Sequence, residues 1–249
     1  MNKSQSLFRA RFSPLGFGAA LVWLCSTGCG WMAHTDNIAG VGFFEQGNYA
    51  AATQKFQRAI EADPNDPDSY YNLAATYHRQ GKLAQQPAQQ QAQYQQAETY
   101  YHLCLDRSPD HRDCYRGLAV LLVEQGRATD AFSLLQRWGE RSPSSPEPKV
   151  ELARLFQEFG DKNAAQAHLQ DALSIAPDNP RALAALGKLR EESGDSAQAL
   201  AVYQRSLASN HFQPEVAARV ATLQAVVPGA VPTAPDGTRI VTTPTAPLR

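Results

Sequence analysis

Four cysteines, two methionines, three tryptophans and six histidines in 249 residues leave little material for several kinds of protein. Four cysteines are too few for a disulfide-built scaffold. Charge of one sign is lacking too: 23 Lys and Arg stand against 24 Asp and Glu, a formal net charge of −1. Nucleic-acid binding rests on clustered positive charge, so no nucleic-acid partner is expected. Motifs that carry chemistry are also missing. There is no Gly-x-Ser-x-Gly, no His-Glu-x-x-His, no haem-attachment or Ca²⁺ motif, and Gly40-Val41-Gly42 lacks the third glycine of a phosphate-cradling loop. No catalytic residue, cofactor or metal ligand is therefore expected, and the protein reads as a non-enzyme. What is present is enough apolar material, 43% hydrophobic and 9% aromatic residues, to build a packed core.

The N-terminus is organised for export. Lys3, Arg9 and Arg11 precede an eleven-residue apolar run, Leu15 to Cys25. That is the length of a signal-peptide apolar region, whereas a bilayer-spanning helix needs ~20 residues. Ser26-Thr27-Gly28-Cys29 then resembles a bacterial lipobox, with Ser26 where that family prefers Leu. The resemblance implies a signal peptide over 1–28, a diacylglycerol on Cys29, and a membrane lipoprotein of the cell envelope facing the periplasm. Plain secretion or an uncleaved anchor is the alternative, because no charged residue lies between Phe12 and Thr35.

The middle of the chain repeats. Gly160…Ala165…Leu169…Ala172…Pro177 recurs at the same offsets as Gly47…Ala52…Phe56…Ala59…Pro64 and as Gly126…Ala131…Leu135…Trp138…Pro143. Upstream of the glycines lie helical patterns such as Tyr70…Leu73-Ala74…Tyr77 and Tyr115…Leu118-Ala119…Leu122. Apolar residues spaced three and four apart make one sticky face per helix, and small residues such as Gly40, Ala74 and Gly187 let two antiparallel helices approach. Glycine at the inner turn supplies the positive φ that ends a first helix, and proline after the second helix stops it.

This pattern resembles the tetratricopeptide repeat (TPR), W-x2-L-G-x2-Y…A-x3-F…P. The resemblance implies an all-α, right-handed solenoid of five helical hairpins over 33–66, 67–111, 112–145, 146–179 and 180–213. An amphipathic helix over 214–226 would cap the last hairpin. Asp36 and Ala39 in the first copy, and Ser206 and His211 in the fifth, depart from the pattern. The second copy carries eleven extra residues in the Gln-rich stretch 85–96. Eleven residues are close to three turns, so Pro87 is expected to open a lengthened second helix that keeps its apolar stripe in phase. Residues 227–249, rich in Pro and Thr, are expected to be disordered.

The resemblance also places a partner in the concave groove lined by the first helices. Transferred by offset, the groove positions are Asn37, Val41 and Phe44; Tyr71, Ala75, His78 and Arg79; Arg116, Val120 and Val123; Arg154 and Gln157; and Lys188 and Glu191. Val41 and Ala75 stand where groove asparagines would be needed to grip acidic C-termini. The expected function is a non-catalytic adaptor that holds a partner peptide or helix at the bacterial cell envelope; the alternative is a structural envelope lipoprotein that self-associates. Cys104 and Cys114 are close enough in sequence to pair in an oxidising compartment, with two reduced, packed thiols as the alternative. His102, Cys104, His111 and Cys114 do not make a convincing metal site, since residues two apart on a helix point about 200° apart. Glu45, Glu124, Glu158 and Glu192 share one repeat offset, with Arg79, Arg127, Arg154 and Arg190 near enough to pair with them.

Overall fold

A computed structural model of the protein describes residues 18–227, with side chains from residue 31 onward. Among these residues there are eleven α-helices and no strands. They fall into two compact units divided after Pro109. Residues 1–17 of the expected signal peptide, the Cys29 side chain and residues 228–249 of the Pro/Thr tail lie outside what is described.

The first unit holds two hairpins: α1 (Gly18–Glu45) with α2 (Tyr49–Ala62), and α3 (Pro67–Leu83) with α4 (Pro87–Arg107). The α1 backbone runs without a break past the expected cleavage point before Cys29. No helix among the described residues is long and apolar enough to cross a membrane. Ala52, Phe56 and Leu73 form the core, with Phe43, Phe44, Tyr77 and Tyr100 packed against it.

The second unit holds α5 (Arg112–Glu124) with α6 (Ala128–Arg141), α7 (Glu147–Glu158) with α8 (Lys162–Ile175), and α9 (Pro180–Glu192) with α10 (Ser196–Ser209). It ends in α11 (Pro214–Val226). Leu169, Ala165 and Val150 centre one core. Val216, Val220 and Leu223 of α11 close another over Leu200 and Tyr203 of α10, as a cap does. The Trp138 indole stacks on the Tyr115 ring with centroids 4.2 Å apart, and its Nε1 donates to Asp110 at 2.9 Å. Such a stack adds roughly 0.5–1.5 kcal/mol to the burial itself.

Four hairpins close identically. Gly47, Gly126, Gly160 and Gly194 all have φ between 75 and 82°. The glycine N–H and the next N–H bond back to the helix, as in Gly126 to Val123 O (2.9 Å) and Arg127 to Leu122 O (2.8 Å). This satisfies two otherwise orphaned carbonyls in a conformation open to glycine. The α3–α4 hairpin is different. Gly81 holds the same repeat offset, yet α3 continues through it to Leu83, and Ala84 and Gln86 in the link are extended. The eleven additional residues appear in the helices, not the link: α3 is four residues longer than α9, and α4 seven longer than α10. Both lengths are near whole turns, so neither helix loses its buried face.

The extension is packed by repeating the hairpin's own contact. A Cβ on Gly40 would lie 2.5 Å from the Phe56 ring, and one on Gly187 would lie 2.6 Å from Tyr203. The corresponding pair in the second copy is Ala74 and Tyr101. Seven residues beyond Ala74 on α3, and seven before Tyr101 on α4, Gly81 meets Tyr94. The insertion thus adds one further small-against-aromatic layer.

Candidate functional site

Within the second unit, α7 touches both α5 and α9, while α6, α8 and α10 make no comparable contact with one another. The first helices therefore line the tighter, inner side. Their surface carries a chain of charges. Glu151 is 1% exposed. It accepts from Arg154 Nε at 3.1 Å and from Arg181, which also bonds Glu147. Arg154 Nη1 donates to Glu158 at 3.2 Å. A buried carboxylate between two guanidiniums is compensated in a way that an isolated one is not. At the unit's start Arg112 grips Asp113 through two bonds of 3.0 Å. Those bonds raise the Arg112 pKa; burial opposes, and the charges of Asp113, Glu147 and Glu151 assist. For Asp113, burial pushes the carboxyl up, but Arg112, with His111 and Arg181, outweighs it and the pKa falls.

On α7, two donors beside this charge network are left over. Arg154 Nη2 and Gln157 Nε2 are buried, one turn apart on α7, and have no hydrogen-bond acceptor among the described residues. Arg116 is exposed on α5, Val120 is half-buried beside it, and Lys188 is exposed on α9, 3.8 Å from Glu192. Lys188, Glu191 and Arg219 border an open cleft of about 670 Å³ floored by Ala184, Ala185 and Val216. Arg219 and the Tyr203 hydroxyl both hold Glu191.

In the first unit the transferred positions are more closed. Asn37 Oδ1 accepts from Asn72 at 2.8 Å. Phe44 packs against the core and meets Tyr49 edge-on at 5.4 Å. Tyr71 lies 6.2 Å from Tyr101, and exposed Arg79 donates to the Tyr49 hydroxyl at 3.3 Å. His78 stands apart from the other transferred positions. It is 8% exposed, edge-on to Tyr94 at 5.7 Å and 3.5 Å from the Tyr101 hydroxyl. Tyr94 exists in this position only because of the insertion, which turns a groove offset into a core one.

The family assignment rests on the repeats. Tetratricopeptide repeat models match residues 88–155 and 156–223, and a further TPR repeat model matches 42–81. The chain belongs to the tetratricopeptide repeat family. TPR repeats mediate protein–protein interaction. The chain is similar to a thermophilic TPR protein of Thermus thermophilus, TTC0263. That likeness has 25% identity and a TM-score of 0.55, over 78% of this chain and 99% of that one. It is also similar in fold to a chain of the APC/C Cut9–Hcn1 hetero-tetramer, at 16% identity and a TM-score of 0.51, over 85% of this chain and 41% of that one. No curated protein matches the chain.

Several features were not readable as sites from sequence. Asp36, in a slot the TPR pattern gives to a bulky residue, is 7% exposed and pairs with Lys55 at 2.7 Å and Arg58 at 3.4 Å. His111 caps α5: its Nδ1 accepts from Cys114 N–H at 3.2 Å. His102 is exposed on α4. Cys104, in the first unit, and Cys114, in the second, are each fully buried. Of the row of carboxylates, Glu158 pairs with Arg154 and Glu192 with Lys188, as solvated helix pairs do.

Proposed function

We propose that this TPR protein is a non-catalytic scaffold of the bacterial cell envelope, tethered to a membrane through Cys29, that holds a partner's peptide or helix along α5, α7 and α9. The observation that carries the binding reading is the pair of unused donors on α7, Arg154 Nη2 and Gln157 Nε2. A buried donor without an acceptor costs roughly 1–3 kcal/mol, which a partner regains by supplying backbone carbonyls or carboxylates. Arg116 and Lys188 lie at offsets one helix to either side and favour a segment with some acidic character.

The test places a photo-crosslinking residue at Arg116 or at Lys188 in cells. Recurrent links from both positions to one protein are expected, and so is their loss in an Arg154→Ala, Gln157→Ala double variant that keeps its helicity. Links unaffected by that variant would overturn the groove. The tether is tested apart from it, by metabolic labelling with an alkynyl fatty acid: label is expected on the parent protein and none on Cys29→Ser.

A further inference from the structure

The α3–α4 extension creates a cleft of about 640 Å³ between its own tip and the α1–α2 turn. Six amide side chains line it: Asn48, Gln80, Gln85, Gln86, Gln89 and Gln93. None of its lining residues is an acid or a base. The whole stretch from Leu83 to Ala97 is likewise uncharged, and eight of its fifteen residues are Gln. Gln93 Oε1 is buried there with no donor among the described residues. Leu83, 53% exposed, adds an apolar contact at the rim.

These facts restrict what can enter. An anion cannot satisfy Gln93 Oε1, because it brings no donor. A cation would find no carboxylate among the lining residues to offset its charge. The cleft therefore suits neutral groups that donate and accept together. Primary amides do this, and the same hairpin displays them on its exposed surface at Gln91, Gln95 and Gln96. Contacts between copies are also helped by neutrality, since like charges brought together by symmetry repel.

We propose that this cleft is a self-association site that takes glutamine side chains from the α4 of a second copy. The site shares no residue with the groove on α5, α7 and α9, and its eleven lining residues fall short of the roughly 20–30 a side of a standard protein interface, so the association is weak.

The test is sedimentation of the full chain in mild detergent, from roughly 1 to 100 µM, the range suited to a weak contact. The parent protein is expected to rise in mass with concentration toward a multiple of its monomer. Gln85→Glu with Gln89→Glu puts like charges on two exposed positions. It is expected to weaken association at least tenfold with an unchanged far-UV spectrum, while Gln85→Asn with Gln89→Asn keeps the amides and keeps association. A parent protein that stays monomeric throughout, or a Glu variant that associates like the parent, overturns the proposal. A neutral peptide or glycan competing for a monomer's cleft would show as the first of these. Partner crosslinking at Arg116 in the Glu variant separates the two readings, because it should survive loss of self-association.

Discussion

The ring of Tyr94 occupies the space that a side chain on Gly81 would need: a Cβ there would stand 2.4 Å from Cδ1 and 2.5 Å from Cε1. Alanine at 81 gains up to ~1 kcal/mol of helix propensity, but it must displace a ring held against His78. Overpacking of this kind costs about 1–3 kcal/mol, so Gly81→Ala should lower the urea midpoint. Gly42, in α1, has nothing within 4 Å of its would-be Cβ. Gly42→Ala should raise the midpoint by the equivalent of about 0.5–1 kcal/mol. Opposite signs from the two changes are the expected result; a stabilising Gly81→Ala would mean that Tyr94 is not locked in place.

Asp36 tests whether the first hairpin is held by an ion pair where the TPR pattern places a bulky residue. Asp36→Ala strands Lys55 and should destabilise by roughly 1–3 kcal/mol in denaturant unfolding. Asp36→Leu with Lys55→Leu removes the closer pair, leaves the exposed Arg58 to solvent, and should fall within about 1 kcal/mol of the parent. If the single and double changes cost the same, the pair contributes nothing.

His168 stacks on Phe156 at 5.2 Å, and burial pushes its pKa below the usual histidine value; Asp171 pulls it up and Lys149 pushes it down. Because the folded state binds a proton less readily than the unfolded chain, stability is full above ~6.5. It is lost as pH falls from there through the depressed folded value. Urea unfolding followed by Trp138 fluorescence should show this decline in the second unit, and His168→Phe should flatten it. An identical decline in the variant would assign the effect to other groups.

Gln157 separates stability from binding. Gln157→Leu removes a buried donor that has no acceptor among the described residues. Thermal stability should hold or rise by up to ~1 kcal/mol, while crosslinking to the groove partner should fall at least tenfold. A variant that is destabilised with capture intact would make Gln157 a structural residue.

The helices were legible in the sequence because hairpin repeats leave a trace at every offset: Gly126, Ala131, Leu135 and Trp138 repeat what Gly160, Ala165, Leu169 and Ala172 do, and each lands on the same structural role. The lengthened α4 followed from simple periodicity. The side-chain roles were less legible because they depend on partners far along the chain. Asp36 looks like a flaw in the first copy until Lys55 is seen beside it. His78 holds a groove offset, and only the position of Tyr94 shows that it is buried. Gly81 keeps the offset of a turn glycine after the insertion has moved the turn away. Offsets identify backbone position; occupancy by neighbours decides exposure.

The placement of the extra eleven residues has an evolutionary consequence. They enter at the tip of a hairpin, go out along α3 and return along α4, so the ends that join neighbouring repeats are left where they were. A lineage can lengthen such a tip in one genetic event, near a multiple of the helical turn, without renegotiating any existing interface. The new surface can then change its residues while the contacts between hairpins stay as they are.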